Sequence, residues 1–474
     1  MLSRRRFSQT AAASVLSAGR SFAAAPPPPA TRPNLLMICV DDLNDWVGCL
    51  GGNPQTRTPN LDRLAARGLL FTNAHCNAPL CNPSRASVMS GIRPSTSGVY
   101  DNNQPWRESP VLKTAVTLPQ HLRVNGYRVV GGGKIFHGAF PDAASWDEYF
   151  PDQVKNKPPD PVPAQRPANG IKGTGNMDWG ALAEPDSRMG DAQVVDWAIG
   201  ELGRRQSKPL FLGCGLFRPH LPWHVPGKYF DLFPLAGIEV PRVLPDDLDD
   251  VPPIGRQFAK PEGDHARITG NRKWREAVQA YLASIAFMDA QLGRLIEAFD
   301  RSPRARDTHI VLWSDHGWHL GEKLHWRKFS LWEESTRNVF LTVAPGVTQP
   351  GSRCASPVSL IDLYPTLTEL CGVPSRPGLE GRSLLPLFRQ PGLGWDTPAL
   401  CTYFRNNHSL RSGRWRYTRY ADGGEELYDH REDPMEWTNL AHRPELATVK
   451  QQLAKWLPRV NAAASIHGKG VAEE

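Results

Sequence analysis

The first strongly patterned segment is Asn34-Leu35-Leu36-Met37-Ile38-Cys39-Val40, a continuous apolar run that stops at Asp41-Asp42. A short run without polar alternation predicts a strand buried on both faces, as in a parallel sheet. Similar runs recur at 127–130, 209–216, 309–313 and 339–343, with helical patterns between them. Thr58 precedes Pro59, and Gly68 follows, which predicts a capped helix with proline at its first position. The longest helix is expected over about 273–299, where Val278, Tyr281, Leu282, Ile285, Met288, Leu292, Ile296 and Phe299 make one apolar face. Strands alternating with helices predict an α/β fold, a mostly parallel sheet flanked by helices.

Two stretches break this rhythm. Segments 151–186 and 241–270 are rich in Pro, Gly and charge and read as surface insertions of the kind that shape a cleft. From about Pro377 the texture changes again. Segments 399–404, 414–420 and Glu425–Asp429 read as short antiparallel strands, followed by a helix over about 445–460. We therefore expect a main domain over 33–376 and a smaller C-terminal α+β subdomain over 377–474.

Composition narrows the function. The 474 residues carry 55 Lys and Arg against 48 Asp and Glu, a formal charge of +7. The 41 Gly and 44 Pro have no fixed period, so they mark ordered loops and not a repeat array. No apolar stretch approaches the ~20 residues of a membrane-spanning helix, so no stable membrane insertion is expected. The N-terminus runs Arg4-Arg5-Arg6-Phe7, then a weakly apolar run from Thr10 to Ala18, then Ala23-Ala24-Ala25. This reads as a twin-arginine export signal over 1–25, with the twin-arginine translocase as partner and a periplasmic or extracellular destination. Removing that segment takes away Arg4, Arg5, Arg6 and Arg20 and no acid, so +7 falls to +3 and nucleic-acid binding is not indicated. Eight cysteines in an exported chain permit disulfides, but Cys39 and Cys214 lie in strand-like runs that read as buried thiols. The chain has no C-x-x-C pair, which excludes a zinc ribbon or a thioredoxin motif.

The candidate chemistry gathers where parallel strands end, because ligands of open parallel sheets bind beyond the carboxyl ends. Asp41-Asp42 follow the first strand, and Asp315-His316 follow Val311-Leu312-Trp313-Ser314. Adjacent carboxylates repel unless they are solvated or neutralised by a cation. One such pair reads as a helix cap; two at equivalent sheet positions point to a shared metal. Between them lies Cys81-Asn82-Pro83-Ser84-Arg85, with Pro83 where a helix begins and Gly91 where it ends. Cys81 is thus expected at a helix N-terminus, which favours an anion and a thiolate nucleophile.

Cys81-Asn82-Pro83-Ser84-Arg85 resembles the C-x-P-S-R signature of the type I sulfatases, and Gly91-Ile92-Arg93-Pro94 resembles that family's continuation. Asp41-Asp42, Gly133-Lys134-Ile135-Phe136-His137, Arg218-Pro219-His220-Leu221-Pro222, Ser314-Asp315-His316-Gly317-Trp318 and Lys328 match further family segments in order. His316 stands where many sulfatases have asparagine, a feature shared with the iduronate-2-sulfatase branch, which the chain resembles most. The resemblance implies an alkaline-phosphatase-like fold, oxidation of Cys81 to Cα-formylglycine by a formylglycine-generating enzyme, and a Ca²⁺ ion held by Asp41, Asp42, the modified Cys81, Asp315 and His316. Calcium prefers oxygen ligands, which leaves open whether His316 ligates or orients its neighbours.

The further roles are implied in the same way. One hydroxyl of the hydrated aldehyde attacks sulfur, and the second then loses its proton so that the hemiacetal collapses and sulfate leaves. Arg85 orients the modified residue, Lys134 and Lys328 neutralise the sulfate, His137 takes the gem-diol proton, and His220, alone or with Lys328, protonates the departing alcohol. The implied substrate is a 2-O-sulfated uronic acid or related sulfated sugar of a polysaccharide. Two other readings stay open: a phosphodiester or phosphonate monoester hydrolase of the same architecture, and a noncatalytic sulfated-glycan-binding protein in which Cys81 stays unmodified. Trp46, Trp318, Trp326 and Tyr100 read equally as a sugar platform or as packing. His319 and His325 are candidates to contact a uronate carboxylate.

Overall fold

The computed structural model describes residues 32–152 and 156–466, all within one compact unit that runs from Arg32 onward. The expected export segment 1–25 and the prolines after it lie outside the described residues.

The strand Asn34–Val40 shows why its sequence is apolar throughout. Leu36, Ile38 and Val40 pack on one side of the sheet with helices Pro59–Ala65, Gly190–Gly203 and Trp274–Arg301. Leu35, Met37 and Cys39 pack on the other with helices Cys81–Ser90, Leu118–Val124 and Leu363–Leu370. Alternate side chains of a strand point to opposite faces, so a strand covered on both must be apolar at every position.

Among the described residues the main sheet has nine strands. Their order is Ser352–Cys354, Leu69–His75, Arg337–Val343, Thr308–Ser314, Asn34–Val40, Leu210–Leu216, Arg128–Gly133 and Glu148–Phe150, with Val358–Ser359 also pairing Leu69–His75. All pairs are parallel except those of Arg337–Val343, which runs antiparallel to both its neighbours. This is the α/β, mostly parallel, helix-flanked sheet expected from the pattern. One consequence places the site: the strands Asn34–Val40, Thr308–Ser314, Arg128–Gly133 and Leu210–Leu216 share a direction, so Asp41, Asp315, Lys134 and the His220 loop all emerge at one edge.

Several elements differ from expectation. The strand Leu69–His75 was hidden because Thr72, Asn73 and His75 break its apolar run; Thr72 Oγ1 donates to Cys354 O at 3.2 Å, so a buried partner accounts for the polar residue. Gly68 is needed for close approach as well as for ending a helix: a Cβ there would lie 2.0 Å from Thr342 O. Thr58 does not cap the helix after it; its hydroxyl accepts from Gly48 N at 2.8 Å instead. The insertion 151–186 contains a strand, Trp179–Leu182, that pairs in parallel with Trp223–Pro226. The insertion 241–270 contains helices Pro253–Ala259 and Asp264–Gly270. The last helix is Ala447–Ala454, shorter than expected.

Near the C-terminus, Ala399–Thr402, His408–Arg411, Trp415–Arg419 and Glu425–Asp429 form a four-stranded antiparallel sheet. Buried charges tie it to the segment that leads into the strand Arg337–Val343. Arg416 pairs with Glu333 and Glu436, and Arg411 Nε bonds Glu333 Oε2 at 3.1 Å. Among the described residues no helix is long and apolar enough to cross a membrane, and all eight cysteines are free thiols.

Candidate active site

The site is built on a turn and a helix start. After Val40 the chain turns sharply: Asp42 has φ 56°, a left-handed value uncommon for an aspartate. Two bonds hold that turn. Asp42 N donates to Asp315 Oδ1 at 3.2 Å, and Tyr281 of the long helix donates its hydroxyl to Asp42 O at 2.7 Å. Opposite, Cys81 opens the helix Cys81–Ser90, which ends at Gly91 with φ 73°. Ser84 Oγ donates to Asp315 O at 2.6 Å and locks the helix against the neighbouring strand end.

The charged groups interlock around Cys81. Lys328 Nζ lies 3.1 Å from Cys81 Sγ and 2.8 Å from Asp42 Oδ1. His316 Nε2 is 3.4 Å from Sγ and 3.4 Å from both Asp42 Oδ1 and Asp315 Oδ2. Asp41 Oδ1 is 3.6 Å and Lys134 Nζ 3.8 Å from Sγ, and Lys134 reaches Asp41 Oδ2 at 2.6 Å. Arg85 joins the two carboxylate positions: Nε bonds Asp315 Oδ2 at 2.8 Å and Nη2 bonds Asp41 Oδ1 at 3.1 Å. It also donates to the carbonyls of Lys134 and Ile135. His220 Nε2 sits 3.9 Å from Asp42 Oδ2, and its Nδ1 contacts Leu221 O at 2.6 Å. His137 is buried on the loop that leaves the same strand end as Lys134.

All of these groups are buried, so their charges set one another's protonation. Burial raises the Asp41 carboxyl, but Lys134 and Arg85 outweigh it and hold the group well below the usual carboxylate range. Burial dominates at Asp42 and lifts it to about 7 despite Lys328. His316 is disfavoured as a cation by burial, yet Asp315 outweighs that and raises it to about 9. His220 is held well below the ordinary histidine value by burial and then by Lys134.

The residues fit a divalent cation. Ligand atoms of Asp41, Cys81, Asp315 and His316 lie within 4.8 Å of one another, as do those of Asp41, Asp42, Cys81 and His220. Asp42 Oδ2 is buried and accepts no hydrogen bond, an arrangement that is costly unless something positive faces it.

The fold brings together the named residues Asp41, Asp42, Cys81, Arg85, Lys134, His220, Asp315, His316 and Lys328. It does not bring the aromatic candidates into a sugar platform. Trp46, Trp318, Trp326 and Tyr100 are all buried, and Trp46 and Trp318 pack against Tyr281. His319 and His325 are likewise occupied. His319 contacts Glu322 O and Ser330 Oγ, and His325 contacts Ala259 O at 2.7 Å and Lys328 O at 2.5 Å. Their ring nitrogens are turned to internal partners, so neither faces a substrate carboxylate.

Two supporting residues, Tyr281 and Asp191, escaped sequence reasoning in their role, and Arg218 reads there only as part of a family segment. Tyr281 reads as one more apolar position of its helix. Asp191 accepts from Phe217 N and Arg218 N, each at 2.8 Å, and Arg218 Nη1 donates to His220 O at 2.9 Å. Together they fix the loop that carries His220.

A buried nest of carboxylates, lysines and one cysteine at the carboxyl edge of a parallel sheet defines an enzyme for small anionic esters. Residues 33–373 match the family model described as Sulfatase, and residues 321–463 match that described as N-sulphoglucosamine sulphohydrolase, C-terminal. The chain is 39% identical over 446 residues to a sulfatase of Formosa agariphila, covering 91% of this chain and 87% of that one. It is 31% identical over 416 residues to the iduronate 2-sulfatase of Homo sapiens, covering 75% and 74%. It is also 31% identical over 436 residues to the choline-sulfatase of Rhizobium meliloti, covering 87% and 83%. Among solved structures it resembles one described as a complex with its substrate D-glucosamine-2-N,6-O-disulfate, with TM-score 0.75 and 21% identity over 90% of this chain and 97% of that one. It also resembles the phosphonate monoester hydrolase of Agrobacterium radiobacter, with TM-score 0.74 and 23% identity over 90% and 94%. The chain belongs to the sulfatase family and is a sulfuric ester hydrolase.

Proposed function

We propose that the protein is an exported sulfatase that removes sulfate from a sulfated sugar of a polysaccharide, in the manner of an iduronate-2-sulfatase, with Cys81 converted to Cα-formylglycine and a Ca²⁺ ion bound beside it. The observation that carries this reading is the crowding of Asp41, Lys134, His316 and Lys328 around a single cysteine sulfur. Asp41, Asp42, Asp315 and His316 would hold the ion, and Cys81, once modified by a formylglycine-generating enzyme, would supply the reacting oxygen. When bound, the ion supplies positive charge that lowers the pKa of a neighbouring hydroxyl and polarises a sulfate oxygen.

The chain's own groups do the rest. Arg85 bridges Asp41 and Asp315 through its two bonds. Lys134 and Lys328 present ammonium groups to the sulfate, with Lys328 nearer the Cys81 sulfur. His220 donates Nδ1–H to Leu221 O, which leaves Nε2 as the basic nitrogen on the side of Asp42. An arriving anion favours protonation at that atom, from which the proton passes to the departing alcohol. His137 takes the proton from the nucleophile.

Relatives at equal identity act, by name, on iduronate and on choline esters, so the sugar class is a proposal that rests on the similarity to the first. A panel of defined sulfated disaccharides, with free sulfate as readout, tests it; release from none of them refutes it. Mass spectrometry of active protein should find an aldehyde at position 81 in place of the thiol. The likeness to a phosphonate monoester hydrolase favours a second reading, and turnover of an aryl phosphonate monoester faster than the matching aryl sulfate would establish it.

A further inference from the structure

Away from Cys81, a cavity of about 290 Å³ opens beyond the far end of the helix Cys81–Ser90. That helix spans ~15 Å at 1.5 Å per residue, so the cavity is separate from the ester-cleaving centre. Its lining includes Arg93, Arg382, Arg459, Trp395, Trp456 and Glu380.

The acids of this cavity are already committed. Glu380 accepts from Arg93 N and from Thr96 Oγ1 at 2.7 Å. Asp362 accepts from Ser359 N at 3.1 Å and Arg382 N at 2.8 Å. The basic groups are less fully used. Arg93 Nη1 is buried and has no hydrogen-bond partner. The Arg382 guanidinium stacks 4.7 Å over the Trp395 ring while bonding Thr397, and its only ion-pair partner among the described residues is the exposed Asp396 at 3.8 Å. Arg459 is exposed beside Trp456, a residue 44% exposed. Donors in excess of free acceptors, next to an open aromatic face, match a ligand with acidic oxygens on an apolar ring.

We infer that this cavity binds an anionic sugar unit of a sulfated polysaccharide at a distance from the ester being cleaved, so that the chain grips its polymer at two places. The inference deepens the proposed function and rests on its polysaccharide reading. Its ligand-facing groups are Arg93, Arg382 and Arg459 for sulfate or carboxylate, with Trp456 and Trp395 as ring faces.

The test compares Cys81→Ala with Cys81→Ala carrying Trp456→Ala and Arg459→Ala, by calorimetric titration with a heparin octasaccharide, a carrageenan octasaccharide and inorganic sulfate. The added pair of substitutions should weaken binding of at least one octasaccharide about tenfold, the combined loss of a ring face and a charge contact. It should leave inorganic sulfate binding unchanged. Trp456 and Arg459 are exposed, so the thermal midpoint should not move. In the otherwise unsubstituted enzyme, Trp456→Ala with Arg459→Ala should keep wild-type turnover of a sulfated disaccharide and raise KM for the polymer. Equal octasaccharide affinity with and without the substitutions overturns the inference, as does no binding of either octasaccharide. Absence of sulfate release from every disaccharide would instead overturn the proposed function, so the two failures are distinct.

Discussion

Tyr281→Phe isolates one atom that the site depends on. The Tyr281 hydroxyl is wholly buried; it donates to Asp42 O at 2.7 Å and accepts from Asn44 N at 3.1 Å. Asp42 holds a left-handed backbone conformation at φ 56°, which costs about 1–2 kcal/mol for a residue with a side chain. Removing the hydroxyl leaves a buried carbonyl and a buried N–H without that partner, a loss of about 1–3 kcal/mol. Part of that loss is recovered if the turn relaxes toward negative φ, and relaxation draws the Asp42 carboxylate away from Lys328, now 2.8 Å distant. A displacement of about 1 Å in such a centre costs on the order of 100-fold in rate. The variant should therefore lose about 2 kcal/mol in denaturant unfolding, lose on the order of 100-fold in kcat, and need more calcium for half-maximal activity. Tyr229→Phe is the control, because its hydroxyl bonds Asp186 and no site residue; it should lose stability without losing kcat. Wild-type kcat and an unchanged calcium dependence in Tyr281→Phe would refute the view that this hydroxyl shapes the Asp42 turn.

Other outcomes follow from the same contacts. Gly215→Ala should abolish turnover, because its Cβ would lie 2.5 Å from the Lys134 backbone; sulfate release should fall further than the thermal midpoint does. Chelation should stop sulfate release and lower the unfolding midpoint, and calcium restored to about 100 times its Kd should return about 2.7 kcal/mol. At Glu436, burial raises the pKa but Arg416 and His430 outweigh it, so the folded value lies below the usual 4.5. A depressed carboxyl contributes its stability above the unfolded value and loses it as pH falls through the folded one. Unfolding free energy should therefore drop as pH is lowered below about 4.5, and Glu436→Gln, though less stable at neutral pH, should show a shallower drop.

Much of this site was legible because its residues are contiguous with strong patterns. Asp41-Asp42 end a strand that is apolar at every position, and Cys81-Asn82-Pro83-Ser84-Arg85 opens a helix, so both could be placed at the carboxyl edge before any coordinates. What stayed hidden was polar or aromatic chemistry in apolar disguise. Tyr281 occupies a core-facing position of a long helix, and only the register of that helix against the Asp42 turn turns its hydroxyl into a support. The strand Leu69–His75 hid for the converse reason: Thr72 and Asn73 look like loop residues until Cys354 O and Ala355 O are found to accept from them. Trp318 reads from sequence equally as a sugar platform or as packing, and its burial against Tyr281 and Trp223 decides for packing.

The charge balance of the centre bears on what the enzyme can discriminate. Asp41, Asp42 and Asp315 face Arg85, Lys134 and Lys328, all buried, and His316, raised to about 9 because Asp315 outweighs its burial, adds positive charge beside them. A sulfate monoester, a phosphodiester and a phosphonate monoester each carry a single negative charge, so net charge alone does not separate them. Selection then rests on the groups that hold the rest of the substrate, and both insertions meet the segment that carries Lys328. Arg327, next to Lys328, bonds Asp264 from one insertion and Asn176 and Thr174 from the other, at 2.6, 2.6 and 2.9 Å. The two insertions therefore share one anchor beside Lys328, whose Nζ lies 3.1 Å from the Cys81 sulfur.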